Sequence, residues 1–426
     1  MNIQIKNGRL IDPANAMDAV RDLFIVDGRI VALGEAPDGF HAERVIDATD
    51  LVVAPGLVDI AARLREPGFE YRATLESEME AAMAGGVTSL AIPPDTDPPL
   101  DEPGLVEMLC YRAKQLNRAH IYPIGALTVG LQGKCLAEMA QLVDAGCFAF
   151  SQSNTPIVDT TVTLRAMQYA ATSGFRVWLQ PLDPFLAAGG CAHDGEVAAR
   201  LGLTGIPVEA ETVALFTHLK LAHLTGAKLH VTRLSSAAGL ALIDQARASG
   251  MEVTCDVSIH HLHLCEDDIG YFNAQCNLVP PLRSAQDRDA LRAGLADGRI
   301  NALCSDHTPV DDDGKLLPFS EAEAGATGLE LLLTLLLKWA EEDRVALPTA
   351  LARITSDAAA LVGIRRAGHL TPGARADVCI FDPATRRALT REDLKSQGKN
   401  TPFLGQELPG TVRYTLVEGR IMYEAG

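Results

Sequence analysis

The chain has 426 residues, 47% of them hydrophobic and 22% charged, enough to bury a large core and to build one big domain with an accessory one. Its formal net charge is −18, and with no cluster of Lys and Arg to neutralise phosphates it is not expected to bind nucleic acid. No run of about 18 apolar residues occurs and the start MNIQIKNGRLIDP has no basic-then-apolar leader, so secretion and membrane spanning are both excluded as expectations.

Residues 1–54 read as short strands joined by turn pairs. NIQI and RLID flank Asn7-Gly8, while LFIV and RIVALG flank Asp27-Gly28, and both pairs favour the positive φ of tight hairpins. From 55 to 365 the pattern changes to apolar runs separated by helical spacing. Eight candidate strands follow one another: LVDIA (57–61), TSLAI (88–92), HIYPIGAL (120–127), CFAFS (147–151), RVWLQ (176–180), KLHVTRL (228–234), EVTCDVS (252–258) and NALCSDH (301–307). Between them, segments such as TLESEMEAAMAGG, PGLVEMLCYRAKQL and SSAAGLALIDQARASG carry helical periodicity, often ending in glycine. No glycine-rich phosphate turn follows the first strand, so the pattern fits a (β/α)8 TIM barrel better than a doubly wound sheet. Residues 366–426 return to strands and turns, with ADVCIF and then YTLV and RIMY around Glu418-Gly419. The two ends are expected to pair into one small β-sandwich domain. The nine cysteines are scattered without a C-x-x-C pair and read as small buried residues of a reducing cytoplasm.

Function in a barrel sits at the C-terminal strand ends. In order these read Ala61-Ala62-Arg63, Pro94-Asp95-Thr96, Ser151-Gln152-Ser153, Gln180, Arg233, Ser258 with His260-His261, and Asp306-His307. Zinc needs several neutral imidazoles or carboxylates, whereas Arg63 and Arg233 are permanent cations that repel it. His260, His261 and His263, taken as one extended segment, point to alternating faces and are expected to pack and hydrogen-bond locally. Asp311-Asp312-Asp313-Gly314 lacks calcium-loop spacing and reads as a solvated loop, and His230 as a strand residue.

Nearly the whole chain resembles the dihydroorotases of the cyclic amidohydrolase superfamily. The resemblance is carried by LVVAPGLVDI, LREPG, Thr96-Asp97-Pro98-Pro99-Leu100-Asp101, His260-His261-Leu262, PPLR ending at Arg283, Ser305-Asp306-His307 and NTPFLGQELPGTV. It implies a metal site with His-x-His after strand one, where this chain has Ala61 and Arg63, and an Asp in an Asp-Asp-Gly turn after strand four, where it has Gln152-Ser153-Asn154. Histidines implied after strands five and six are Gln180 and Arg233, and only the strand-eight aspartate remains, as Asp306. Of the implied substrate contacts Arg65 is kept, but Asp95 stands for an asparagine, Val279 for another, and Val310 for a histidine.

The expectation is therefore a catalytically inactive dihydroorotase-like protein without metal or cofactor. The resemblance further implies a structural partnership with the aspartate transcarbamoylase catalytic chain in a mixed oligomer, with self-association. Two rivals stand beside it: an active cyclic amidohydrolase with relocated ligands, and a module that binds a pyrimidine intermediate through Arg65 and Arg233. At least one of Arg63 and Arg233 is expected to pair with Asp306, because an unpartnered buried carboxylate is costly.

Overall fold

The computed structural model describes residues 1–425. All eight expected barrel strands are present, at Leu57–Asp59, Val87–Ile92, His120–Ala126, Ala149–Ser151, Arg176–Leu179, Lys228–Val231, Val253–Ser258 and Ala302–Cys304. They pair side by side in chain order. The last returns to the first through a parallel bridge between Ala62 and His307, with Arg63 N–H donating to His307 O at 2.9 Å. Asp59 reinforces this closure: it is fully buried and accepts from the backbone N–H and hydroxyl of Ser305. The connecting helices follow the expected punctuation. Leu75–Ala84 opens with a Thr74–Ser77 capping box, and Ala237–Ala248 is capped by the Ser236 hydroxyl on Gly239 N–H.

The chain ends form one eight-stranded mixed sheet, in which Val52–Pro55 pairs with both Ile3–Asp12 and Val378–Ala388. That sheet wraps a core containing Ile3, Ile25, Val53, Ile380 and Leu416. Asp27-Gly28 and Glu418-Gly419 are the two-residue turns the sequence announces, and they touch each other. Asn7-Gly8 is not a turn. Ile3–Asp12 runs through it as one strand with a bulge, and a Cβ on Gly8 would sit 2.5 Å from Val53, so the glycine is there for close packing.

Three smaller expectations are corrected. Residues 259–263 form a helical turn capped by Ser258 rather than an extended segment. Asp312–Leu316 is likewise a short helix, though exposed at its aspartates as expected. Six cysteines are buried, but Cys110 and Cys191 are only partly so and Cys135 is exposed in the loop after the third barrel strand. No helix among the described residues is long and apolar enough to cross a membrane.

Candidate functional site

Arg63 rises from the end of the first barrel strand into the barrel mouth, where only 5% of its side chain is exposed. Its Nε donates to Asp95 Oδ2 at 2.8 Å, and Nη1 donates to Asp306 Oδ1 and Thr308 Oγ1, both at 3.1 Å. Nη2 donates to Asn154 Oδ1 at 3.2 Å and Ser153 Oγ at 3.4 Å. A guanidinium has five N–H groups, so that of Arg63 is fully committed. Arg233, from the sixth strand, donates through Nη1 to Asp306 Oδ1 and Val279 O at 3.2 Å, and through Nη2 to Asn154 and Gln180. Both arginines thus pair with Asp306, where at least one was expected. The strand-eight carboxylate sits between two cations that donate to the same oxygen.

The backbone that aims these groups is unusual. Arg65, Ser153, Arg233 and Asp306 all adopt positive φ, between 46° and 63°, a conformation non-glycine residues hold only where the surroundings enforce it.

Electrostatics follow the pairing. Burial works against charge on Arg63, but Asp95 and Asp306 outweigh it and raise the guanidinium pKa. Burial would raise the Asp95 carboxyl, yet the Arg63 charge and hydrogen bond hold it down to about 2. Unfolded aspartate titrates near about 3.9, so this stabilisation is complete above about pH 4 and is lost as pH falls toward 2, about 2 kcal/mol in all. Urea midpoints between those limits should show this acid limb in the native chain and lose it in Asp95→Asn. An unchanged limb in the variant would assign it to other carboxylates.

Of the remaining sequence-predicted positions, only Val279 touches this cluster, through its carbonyl. Ala61, two residues past the first strand, has its backbone N–H on Asp59 and its methyl in a small apolar cluster. Gln152 turns away from the centre, accepting from Thr128 and donating to Leu131 O. Arg65 donates to Pro309 O, and burial beside Arg63 lowers its guanidinium to about 10, still cationic at neutral pH. Val279 contributes a carbonyl, and Val310 is buried with its N–H on Asn400. Asn154 and Thr308 were not singled out from the sequence. Asn154 completes the triplet that stands for the Asp-Asp-Gly turn, and its one oxygen accepts from both arginines.

The histidines are held elsewhere. His261 bridges Ser258 and Pro281 O, His263 meets Leu335 O, and His260 stacks on Phe403. Burial pushes His260 and His261 down to about 4 and His263 to about 3, so all three are neutral near pH 7. His230 is a strand residue between Thr254 and Asp256. His307 accepts from Gly328 and Leu329 N–H at Nδ1, which places its proton on Nε2, donated to Glu78 at 2.6 Å.

These residues do not fit the zinc centre that the resemblance implies. Zinc needs converging lone pairs, but the two side chains that fill the mouth present only N–H donors and positive charge. The carboxylates facing them, Asp95 and Asp306, are already hydrogen-bonded to those donors.

Comparison with known proteins gives a consistent result. Residues 50–238 match the dihydro-orotase-like family model and residues 193–423 the amidohydrolase family model. A dihydroorotase-like protein of Pseudomonas putida is 44% identical over 99% of both chains. A dihydroorotase of Citrifermentans bemidjiense is 38% identical over the full length of both. Among solved structures, the L-hydantoinase of Arthrobacter aurescens superposes with a TM-score of 0.89 at 26% identity, covering all of this chain and 96% of its own.

Proposed function

The chain belongs to the dihydroorotase-like amidohydrolases, and from that premise we propose that it is a non-catalytic member acting as a structural subunit for aspartate transcarbamoylase in pyrimidine biosynthesis. The observation that supports inactivity is the shared grip of Arg63 and Arg233 on Asp306. Opening a cyclic amide requires a nucleophile, a polarised carbonyl and a group to take the proton. Here the strand-eight carboxylate is bound to two guanidiniums, and every N–H of Arg63 is spent on protein acceptors, leaving none for a substrate carbonyl.

The partnership rests on the likeness to dihydroorotases and on a barrel that keeps its packing while its mouth is filled with ion pairs. Co-expression with the transcarbamoylase catalytic chain of the same host is expected to give one mixed oligomer on size exclusion. That enzyme should lose assembly or most of its activity when this chain is left out. A transcarbamoylase equally large and equally active alone would refute the scaffold role.

A further inference from the structure

Beside the arginine cluster lies a cavity of about 100 Å³, between the loops after the fourth and fifth barrel strands and the helices Thr160–Ser173 and Glu209–Thr225. It has room for several waters or one small ring. One wall is apolar, with Leu179, Phe185 and Val213. Opposite stand polar groups, among them Gln180, Thr217 and His218.

Two polar atoms of this lining have no partner. Gln180 is 7% exposed and its Oε1 accepts from Arg233 Nη2. A guanidinium cannot accept, so the orientation of that amide is forced: oxygen toward Arg233, nitrogen away. Gln180 Nε2 is buried and unbonded, an expensive state for an amide donor. His218 Nδ1 is also buried and unbonded. Burial lowers that imidazole to about 4, so it is neutral at pH 7.

Charge narrows the occupant further. No Lys or Arg lines the cavity, and its one carboxylate, Asp183, already accepts from Phe185 and Leu186 N–H. An anion would meet no cation here, and a cation could engage only the Asp183 carboxylate, leaving the Gln180 donor unpaired. What fits is a neutral molecule with one carbonyl acceptor, one N–H and an apolar body.

We propose that this cavity binds a small uncharged amide, its carbonyl accepting from Gln180 Nε2, its N–H facing His218 and its apolar part lying on the Leu179 and Val213 wall. Because the same Gln180 amide holds Arg233 through its oxygen, the occupant also steadies the arginine cluster and through it the barrel mouth. The site is distinct from the cluster, whose two guanidiniums are buried and paired with carboxylates.

Benzamide and benzoate, alike in shape and differing in charge, are the probes. Calorimetric titration of the intact chain should show one benzamide bound per chain with Kd of about 1 mM or tighter, and a thermal midpoint that rises with its concentration. Benzoate should bind at least about tenfold more weakly. Thr217→Phe and Val213→Trp, each closing the cavity from a different turn of one helix, should abolish benzamide binding while the thermal transition stays cooperative; if one variant fails to fold, the other decides. Absence of benzamide binding at about 10 mM would overturn the proposal. So would benzoate binding as well as benzamide, since the cavity would then not select for a neutral ligand, and so would undiminished binding in the folded variants.

Discussion

Replacing Arg63 by Met is expected to lower the unfolding free energy by about 4 kcal/mol, because it strands Asp95 outright and leaves Asp306 with Arg233 alone. Arg63 and Asp306 are each less than one-tenth exposed, and Asp95 under a quarter. Removing one partner of a buried ion pair leaves an uncompensated charge, which costs more than the pair itself contributes. Arg233→Met should cost less, about 2 kcal/mol, since Asp306 keeps Arg63. Asp95→Asn in the Arg63→Met background should recover part of the loss by removing the stranded charge, and the difference between that effect and the effect of Asp95→Asn in the native chain is the coupling between the two sites. Urea unfolding at neutral pH, read as a change in midpoint at constant slope, measures all three. An Arg63→Met variant as stable as the native chain would mean that the cluster carries no structural load.

The second large effect is expected at Asn400, in the NTPFLG segment that crosses from the terminal sheet back to the barrel mouth. Its side chain is 3% exposed and makes three hydrogen bonds: Oδ1 accepts from Val310 N–H, and Nδ2 donates to Thr308 O and Gly325 O. Asn400→Ala leaves three buried backbone groups without partners, at a combined cost of about 3 kcal/mol. The loss also frees the turn that presents Thr308 to Arg63 and Pro309 O to Arg65. Amide exchange in residues 306–326 should therefore accelerate beyond the global change in stability. If exchange rises uniformly instead, Asn400 is an ordinary core contact and not a clamp on the mouth.

Much of this architecture is legible in the sequence for a simple reason. Barrel strands are buried on both faces, so Val87–Ile92 or Ala302–Cys304 are short, mainly apolar runs, and their helices announce themselves by period and by glycine at the far end. Strand ends then point to the mouth without further information, which is how Arg63, Arg233 and Asp306 are placed together before any contact is known. What escapes is local geometry set by distant partners. Asn7-Gly8 carries the signature of a hairpin, but its glycine answers to Val53 across the sheet. His260, His261 and His263 have no periodicity long enough to distinguish a helical turn from a strand, and the Ser258 cap decides it. Asn154 shares a triplet with Gln152, yet the backbone turns Gln152 outward and Asn154 inward. Positive φ at Ser153 is part of that turn, and nothing in a serine announces it.

Inactivity through occupied space is the central claim, and metal analysis with a paired assay tests it most directly. The purified chain, incubated with excess zinc and dialysed against a weak chelator, should retain far less than one equivalent and show no hydrolysis of dihydroorotate above the uncatalysed rate. One equivalent of zinc held through dialysis, accompanied by hydrolysis that a strong chelator abolishes, would contradict the account outright.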